Sequence, residues 1–152
     1  MTDSETKSLY FEDFSMGRLF TSDIRVITAA DVDQFAELSG DTNPIHVDSE
    51  FARDSIYGER IVHGLLTLSV VSGLAVELGI AERTTIAFKS LDWRFKKAVA
   101  VGDSIQAEFK VIDRRAIAGQ AGGLVVFRIR VVNQEGALAQ TGRWSLVIKS
   151  RM

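Results

Sequence analysis

Two residues of one short segment, Asp41 and His46, form the first candidate catalytic pair of this chain. Four residues separate them, among them Asn43 and Pro44, the only proline in the sequence. A segment of this composition bends, so a carboxylate and an imidazole can reach one point. An imidazole titrates near neutral pH, and a carboxylate beside it can fix its tautomer or hold a water, which makes a usable general acid and base. The same spacing also fits an Asx-type turn, in which Asp41 and Asn43 bond nearby backbone N–H groups and His46 only packs.

A second candidate group, His63 and Gly64, stands at the start of the stretch 64–76, in which no side chain is charged. The first N–H groups of a helix lack internal partners and carry the positive end of its dipole. Because Gly64 has no Cβ, a carbonyl oxygen could approach its N–H as in an oxyanion site. The ordinary alternatives are a close-packing glycine and a capping or core histidine. Ser72, two turns further on, has an ordinary explanation in a bond to a carbonyl one turn back.

The apolar stretch predicts the centre of the fold. Its few polar or small residues are scattered around the helical wheel, and a helix that is apolar all round is expected in the interior. It is too short and too rich in serine and glycine for a membrane span. The 152 residues suffice for one domain with its own core. We therefore expect a single α+β domain over residues 1–152, with a flexible tail at 1–8 and a sheet wrapped around one long helix.

Alternating apolar and polar residues predict the strands of this sheet, at 20–26, 86–95, 105–111, 125–131 and 144–148. The apolar phase changes near Lys89 or Ser90, which predicts a β-bulge there. Short connections favour antiparallel neighbours in chain order. The glycine-rich stretch 116–123 is expected to be a mobile hairpin loop or lid.

Three local signals predict helix boundaries before the apolar stretch. Thr28 and Asp31 have the spacing of a capping pair at the start of an amphipathic helix, which Gly40 would end. Residues 40–48 have the composition of a loop. Asp48 could then cap a short helical turn.

The bulk composition excludes several classes of function. The sequence has no cysteine and only two histidines, so we expect no metal site. A net charge of −2 without a basic run argues against nucleic acid as a partner. The N-terminus is polar and acidic and lacks the basic start and apolar core of a signal peptide, which predicts a soluble cytoplasmic protein with no membrane partner.

Several motifs together resemble the MaoC-like dehydratase family, which includes the (R)-specific enoyl-CoA hydratases. They are GDTNPIHVD at 40–48, RIVHGLL at 60–66, the pair Ser72-Gly73, and WRFKKAVAVGD at 93–103. The resemblance implies the hot-dog fold, an antiparallel sheet wrapped around a long central helix. It also implies a homodimer or a higher even oligomer. The implied reaction is hydration of a trans-2-enoyl-CoA to an (R)-3-hydroxyacyl-CoA, or the reverse dehydration, without a cofactor because coenzyme A is part of the substrate.

The resemblance also implies roles for individual residues. Asp41 and His46 would hold the water that adds to the substrate, and the Gly64 N–H would bind the thioester oxygen. Asn43 and Ser72 correspond to supporting polar positions. His63 belongs to the motif with its role left open.

A further expectation concerns the coenzyme A phosphates. Lys89, Arg94, Lys96 and Lys97 cluster around one predicted strand and its end, and phosphates prefer such donors. A solvated sheet face explains these residues equally well.

Two other functions remain open at this point. One is a hot-dog acyl-CoA thioesterase, which also needs an acidic residue and a helix N-terminus at the thioester. The other is a non-catalytic acyl-CoA-binding or partner subunit. The clustering of Asp41, Asn43 and His46 favours hydration, because these side chains can seat a water beside the alkene.

Overall fold

A computed structural model of the chain describes residues 8–119 and 121–151. Its helices and strands follow in chain order. After a short 3₁₀ helix at Phe11–Asp13 come β1 (Leu19–Thr21), β2 (Arg25–Val26), α1 (Ala29–Ser39), α2 (Pro44–Val47), α3 (Ser49–Arg53), α4 (Gly64–Glu77), β3 (Thr85–Phe95), β4 (Ser104–Ala116), β5 (Gly122–Asn133) and β6 (Leu138–Lys149). The predicted α+β architecture, one long helix against an antiparallel sheet, is confirmed.

Over the described residues the sheet has six strands, in the order β1-β4-β5-β6-β3 with β2 also paired to β4. The prediction that consecutive strands are neighbours is correct for β4 with β5 and for β5 with β6. It is wrong for β3, which pairs with β6 and so forms an edge of the sheet. The connection 96–103 is long enough to carry the chain away from β3, and it is held at its start by two N–H groups, of Lys96 and Lys97, that donate to Ala139 O.

Of two further features predicted for the strands, one is confirmed and one is wrong. The bulge expected near Lys89 is confirmed by a register shift between Phe88 and Ser90. By contrast, the strand expected at 20–26 is divided into β1 and β2. The buried hydroxyl of Ser22 accepts the Ala107 N–H at 2.9 Å and donates to Asp23 O, so it interrupts the regular ladder. Ile24, which lies on the apolar phase of the expected strand, falls between β1 and β2 and is 66% exposed.

The helix boundaries follow local capping chemistry. Thr28 and Asp31 form the predicted capping pair, and Gly40 ends α1 in the left-handed conformation at φ 79°. Asp48 accepts the N–H groups of Glu50 and Phe51, which confirms its cap of α3. The segment 40–48 is not wholly a loop, since it contains α2.

Helix α4 packs one face against the sheet. The core joins its buried residues Leu66, Val71 and Leu74 to the inward residues of β4 and β5. The prediction that α4 is buried all round is wrong for this chain, because Leu65 and Val76 on its other face are 61% and 56% exposed. One sheet covers only one side of the helix.

Three further points concern the rest of the chain. The expected flexible tail lies outside the described residues except for Ser8, whose hydroxyl accepts the Arg83 N–H. Of the loop or lid expected at 116–123, residues 117–121 connect β4 to β5, with Gln120 outside the described residues, and its mobility stays a prediction; Ala116, Gly122 and Gly123 belong to the strands. Among the described residues no helix is long and apolar enough to cross a membrane.

Candidate active site

The segment between α1 and α2 carries the acidic member of the candidate pair. The Asp41 carboxylate accepts the Asn43 N–H at 3.3 Å, and the Asn43 side-chain oxygen accepts the Ile45 N–H at 3.4 Å, which caps α2. Pro44 stands in the first turn of α2, where its missing N–H costs nothing. The Asx-type bonds of the ordinary interpretation are therefore present, and Asn43 acts as a helix cap.

His46 lies in the last turn of α2 with a fixed ring. Its Nδ1 is 2.8 Å from Ile61 O. A carbonyl oxygen can only accept, so Nδ1 carries the proton and Nε2 of the neutral ring keeps a lone pair. Arg60 supports the same region, since its Nε donates to His46 O and its guanidinium pairs with Asp33 at 2.6 Å. The backbone oxygen of Ile61 therefore sets the tautomer of His46. One option of the sequence interpretation, that Asp41 sets it, is wrong.

His63 connects the start of α4 to the candidate pair. It is 1% exposed, and its Nε2 donates to the backbone oxygen of Asp41 at 2.9 Å. Its ring stacks on that of His46 with centroids 3.9 Å apart, and the edge of Phe35 packs against it at 4.9 Å. Nδ1 is buried and has no hydrogen-bond partner among the described residues. The structure therefore places this residue, whose role the sequence left open, as a core histidine that holds Asp41.

The three side chains converge. A carboxylate oxygen of Asp41 and one ring nitrogen each of His46 and His63 all lie within 4.8 Å of one another. This spacing suits one small molecule held between a carboxylate and an imidazole. Two imidazoles and a carboxylate could also bind zinc. Each ring donates one nitrogen's proton to a backbone carbonyl and keeps a lone pair on its other nitrogen, as metal-binding histidines commonly do. The prediction of no metal site stays a prediction.

Gly64 shares a cleft with His46. The cleft has a volume of about 460 Å³, and Lys96 and Lys97 also line it. Gly64 is the first residue of α4, and in the described part of the chain its N–H has no hydrogen-bond partner. A Cβ at this position would lie 2.7 Å from the ring of Phe95. Gly64 therefore fits the close-packing interpretation and also offers a free N–H.

Ser72 is not brought to this cleft. Its hydroxyl donates to Ser69 O at 2.6 Å, the ordinary bond expected for a serine within a helix. It lines a second, apolar cleft of about 410 Å³, together with Val76, Phe88 and Trp144.

The four basic residues are divided. Lys96 and Lys97 lie on the first cleft, whereas Lys89 and Arg94 are exposed on the edge strand β3 and do not line it. Only half of the expected phosphate-binding set therefore lies beside Gly64.

The sequence interpretation missed Ile61 and Gln140. Ile61 contributes only a backbone oxygen, and no pattern of residue types predicts the role of a backbone atom. Gln140 had a signal: it is polar but stands four residues before Trp144, on the apolar phase of β6. It is 3% exposed and lines the first cleft.

Comparisons with known proteins agree with this architecture. The chain superposes on an Archaeoglobus protein described as a monoamine oxidase regulatory protein, with TM-score 0.89, 31% identity, and coverage of 96% of this chain and 97% of the other. A Mycobacterium tuberculosis protein described as having a double hotdog fold superposes with TM-score 0.84 and 19% identity, over 94% of this chain and 44% of that one. The fold is the hot-dog fold.

Sequence relatives give the family. Residues 15–129 match the model of the MaoC like domain. The (R)-specific enoyl-CoA hydratase of Aeromonas caviae is 38% identical over 114 residues, 75% of this chain and 81% of that protein. Protein MaoC of Klebsiella aerogenes is 33% identical over 142 residues; they make up 93% of this chain but span only 39% of that protein's length. The chain belongs to the MaoC-like dehydratase family.

Proposed function

We propose that this protein is a hydro-lyase that adds water to a trans-2-enoyl-CoA to give an (R)-3-hydroxyacyl-CoA, or catalyses the reverse dehydration. The observation that carries the proposal is the convergence of Asp41 and His46 within 4.8 Å, with His46 on the same cleft as the free N–H of Gly64. The relatives named as hydratases support the reaction class.

The mechanism follows from the acceptors that the site offers. A water held between the Asp41 carboxylate and His46 Nε2 directs both hydrogens at these acceptors, so an oxygen lone pair faces the substrate. As the C–O bond forms at the β-carbon, the pair takes a proton from the water. The same pair then delivers a proton to the α-carbon, which restores both residues.

The helix start would stabilise the charge that this addition creates. Electron density moves from the double bond to the thioester oxygen, which becomes enolate-like. The Gly64 N–H, at the positive end of the α4 dipole, would donate to that oxygen. Unlike the acid–base pair, this group needs no proton transfer of its own.

Two further surfaces suit the coenzyme A phosphates and the acyl chain of the substrate. Lys96 and Lys97 line the first cleft and offer ammonium groups for the coenzyme A phosphates. Lys89 and Arg94 offer further positive charge along β3. The apolar cleft beside Ser72 and later turns of α4 has a suitable lining for an acyl chain. Ser72 would then contact the acyl group and not the water.

An exposed apolar surface supports assembly into a homodimer or a higher even oligomer. The edge strand β3 and the outer face of α4 share large exposed apolar side chains: Leu65, Val76, Ile86, Phe88, Leu91 and Phe95. A long apolar edge strand is prone to pair with another chain unless it is covered. Sedimentation velocity of the purified protein is expected to give a dimer or an even multiple; a monomer at micromolar concentration would contradict this assembly.

The reaction itself is tested with crotonyl-CoA. Hydration removes the conjugated enoyl absorbance without releasing a thiol. Release of free coenzyme A at the same rate would instead identify a thioesterase. Binding of crotonyl-CoA without either change would identify a non-catalytic acyl-CoA-binding subunit.

A further inference from the structure

Gln140 of β6 reaches from the sheet to the start of α4. It pairs with Phe95 across β3 and β6, and its side chain is almost fully buried. Its Nε2 donates to Gly64 O at 3.1 Å, and its Oε1 accepts the Trp93 indole N–H at 2.8 Å. One side chain therefore joins the edge strand, the neighbouring strand and the helix.

The orientation of this amide is fixed by its two partners. An indole N–H can only donate and a backbone oxygen can only accept. Rotation of the amide by 180° would therefore break both bonds and leave two polar groups facing like partners. A buried side chain with both ends satisfied in only one orientation is a rigid connection.

Gly64 is consequently held from several sides. The Phe95 ring occupies the space where a Cβ would lie, and Gln140 holds the Gly64 oxygen. The residue before it, His63, is held by its ring bond to Asp41 O. The position of the Gly64 N–H relative to the Asp41 and His46 pair is therefore set by side chains of the sheet and by the bond from the His63 ring to the Asp41 backbone.

We infer that Gln140 is a positioning residue that keeps the Gly64 N–H where the thioester oxygen gains charge. This inference rests on the proposed function. A donor of this kind acts only when it lies about 2.7–3.1 Å from the developing oxyanion, so a small shift of the helix start weakens it in the transition state. Gln140 lines the first cleft, but both ends of its amide are bonded within the protein, so its effect passes through Gly64.

The first test compares two neighbouring residues of β6. Gln140→Met keeps the length of the side chain but removes both hydrogen bonds. Thr141→Val, also on β6, is the matched control, because it removes the bond from the Thr141 hydroxyl to Ile129 O of the neighbouring strand β5 and leaves the bond to Gly64 O in place. For Gln140→Met we expect kcat to fall about tenfold or more, towards the ~10²–10³-fold cost of losing an oxyanion donor, with KM changed less than about threefold. Thr141→Val should keep the wild-type kcat.

The second test reads the bond to the substrate directly. Butyryl-CoA has no double bond to hydrate, so its thioester carbonyl stretch can be recorded on the enzyme by difference infrared spectroscopy. Wild type and Thr141→Val should shift this band to lower frequency on binding, and Gln140→Met should shift it less. If Gln140→Met does not fold, Gln140→Asn, one methylene too short to reach both partners, replaces it in both tests.

The outcomes separate the inference from the function on which it rests. If Gln140→Met keeps the wild-type kcat and shifts the carbonyl band as far as the wild type does, the positioning role is overturned, while hydration by the wild type stands. Equal losses in Gln140→Met and Thr141→Val would also overturn it, since they would reflect strand stability. Failure of the wild type to hydrate any enoyl-CoA would instead overturn the proposed function.

Discussion

The ring of His46 stacks on the ring of His63 with centroids 3.9 Å apart and planes inclined by 27°. The His63 ring is buried and donates to Asp41 O, and the His46 ring donates to Ile61 O. His63 therefore contacts both members of the proposed pair, the backbone of Asp41 and the ring of His46. Its replacement should disturb both together.

His63→Phe and His63→Gln separate the two contributions of this residue. Phenylalanine keeps a ring under His46 but cannot donate to Asp41 O, whereas glutamine can donate but cannot stack. We expect the hydration rate of both variants to fall by about tenfold or more, because each loses one support of the general acid–base pair. Steady-state kinetics with crotonyl-CoA check this. Wild-type rates in both variants would show that His63 only fills space.

Gly64→Ala tests whether the glycine serves packing alone. The added Cβ would lie 2.7 Å from the Phe95 ring, so the variant should lose both stability and hydration. The double variant Gly64→Ala/Phe95→Leu makes room for the methyl group. We expect it to recover part of the thermal midpoint but to stay well below the wild-type rate, since the methyl group still hinders approach of the thioester oxygen. Recovery of rate together with stability would reduce Gly64 to a packing residue.

Asp31 makes a pH-dependent contribution to stability. The Thr28 N–H and the Arg25 guanidinium hold the pKa of the Asp31 carboxyl below its usual value of 3.8, in this order of importance. A carboxyl with a lowered folded-state pKa stabilises the fold above its unfolded value, and this contribution disappears as the pH falls through the folded value. Asp31→Asn should therefore cost about 0.3–1 kcal/mol near pH 7, the usual effect of a charge at a helix start.

Urea denaturation at neutral pH and at about pH 3 measures this difference, which should shrink on acidification. Glu37→Gln, an exposed change on the same helix, is the control and should have little effect at either pH. An Asp31→Asn effect that stays constant or grows in acid would contradict the assignment.

Chelation tests the prediction that no metal takes part. The cluster of Asp41, His46 and His63 has donors that zinc accepts. We expect purified protein to contain no stoichiometric metal by elemental analysis, and the hydration rate to be unchanged after dialysis against a chelator. Bound zinc in a one-to-one ratio, with loss of activity on removal and recovery on addition, would refute this prediction.

Features set by neighbours in sequence were predictable. The Thr28 and Asp31 caps and the change of apolar phase before Ser90 are local patterns, and the structure has both. A motif in one short segment likewise placed Asp41 and His46 together.

Features set by distant contacts were not predictable. The Ile61 oxygen that orients His46 lies 15 positions away, and the Gln140 amide lies 76 positions from Gly64. The pairing of β3 with β6 depends on which edge remains free after β4 and β5 have paired. The exposed side of α4 depends on how many surfaces cover the helix, and its all-round apolar composition carries no information on that number.

The hydration rate of crotonyl-CoA in Asp41→Asn and His46→Ala tests the central claim most directly. Asp48→Asn is the matched control, because Asp48 also bonds nearby backbone N–H groups and lies in the same segment, but it caps α3 and is not one of the three converging side chains. The account predicts a loss of at least about two decades of rate in the first two variants, with the fold and the control unaffected. Retention of the wild-type rate by both variants would contradict it.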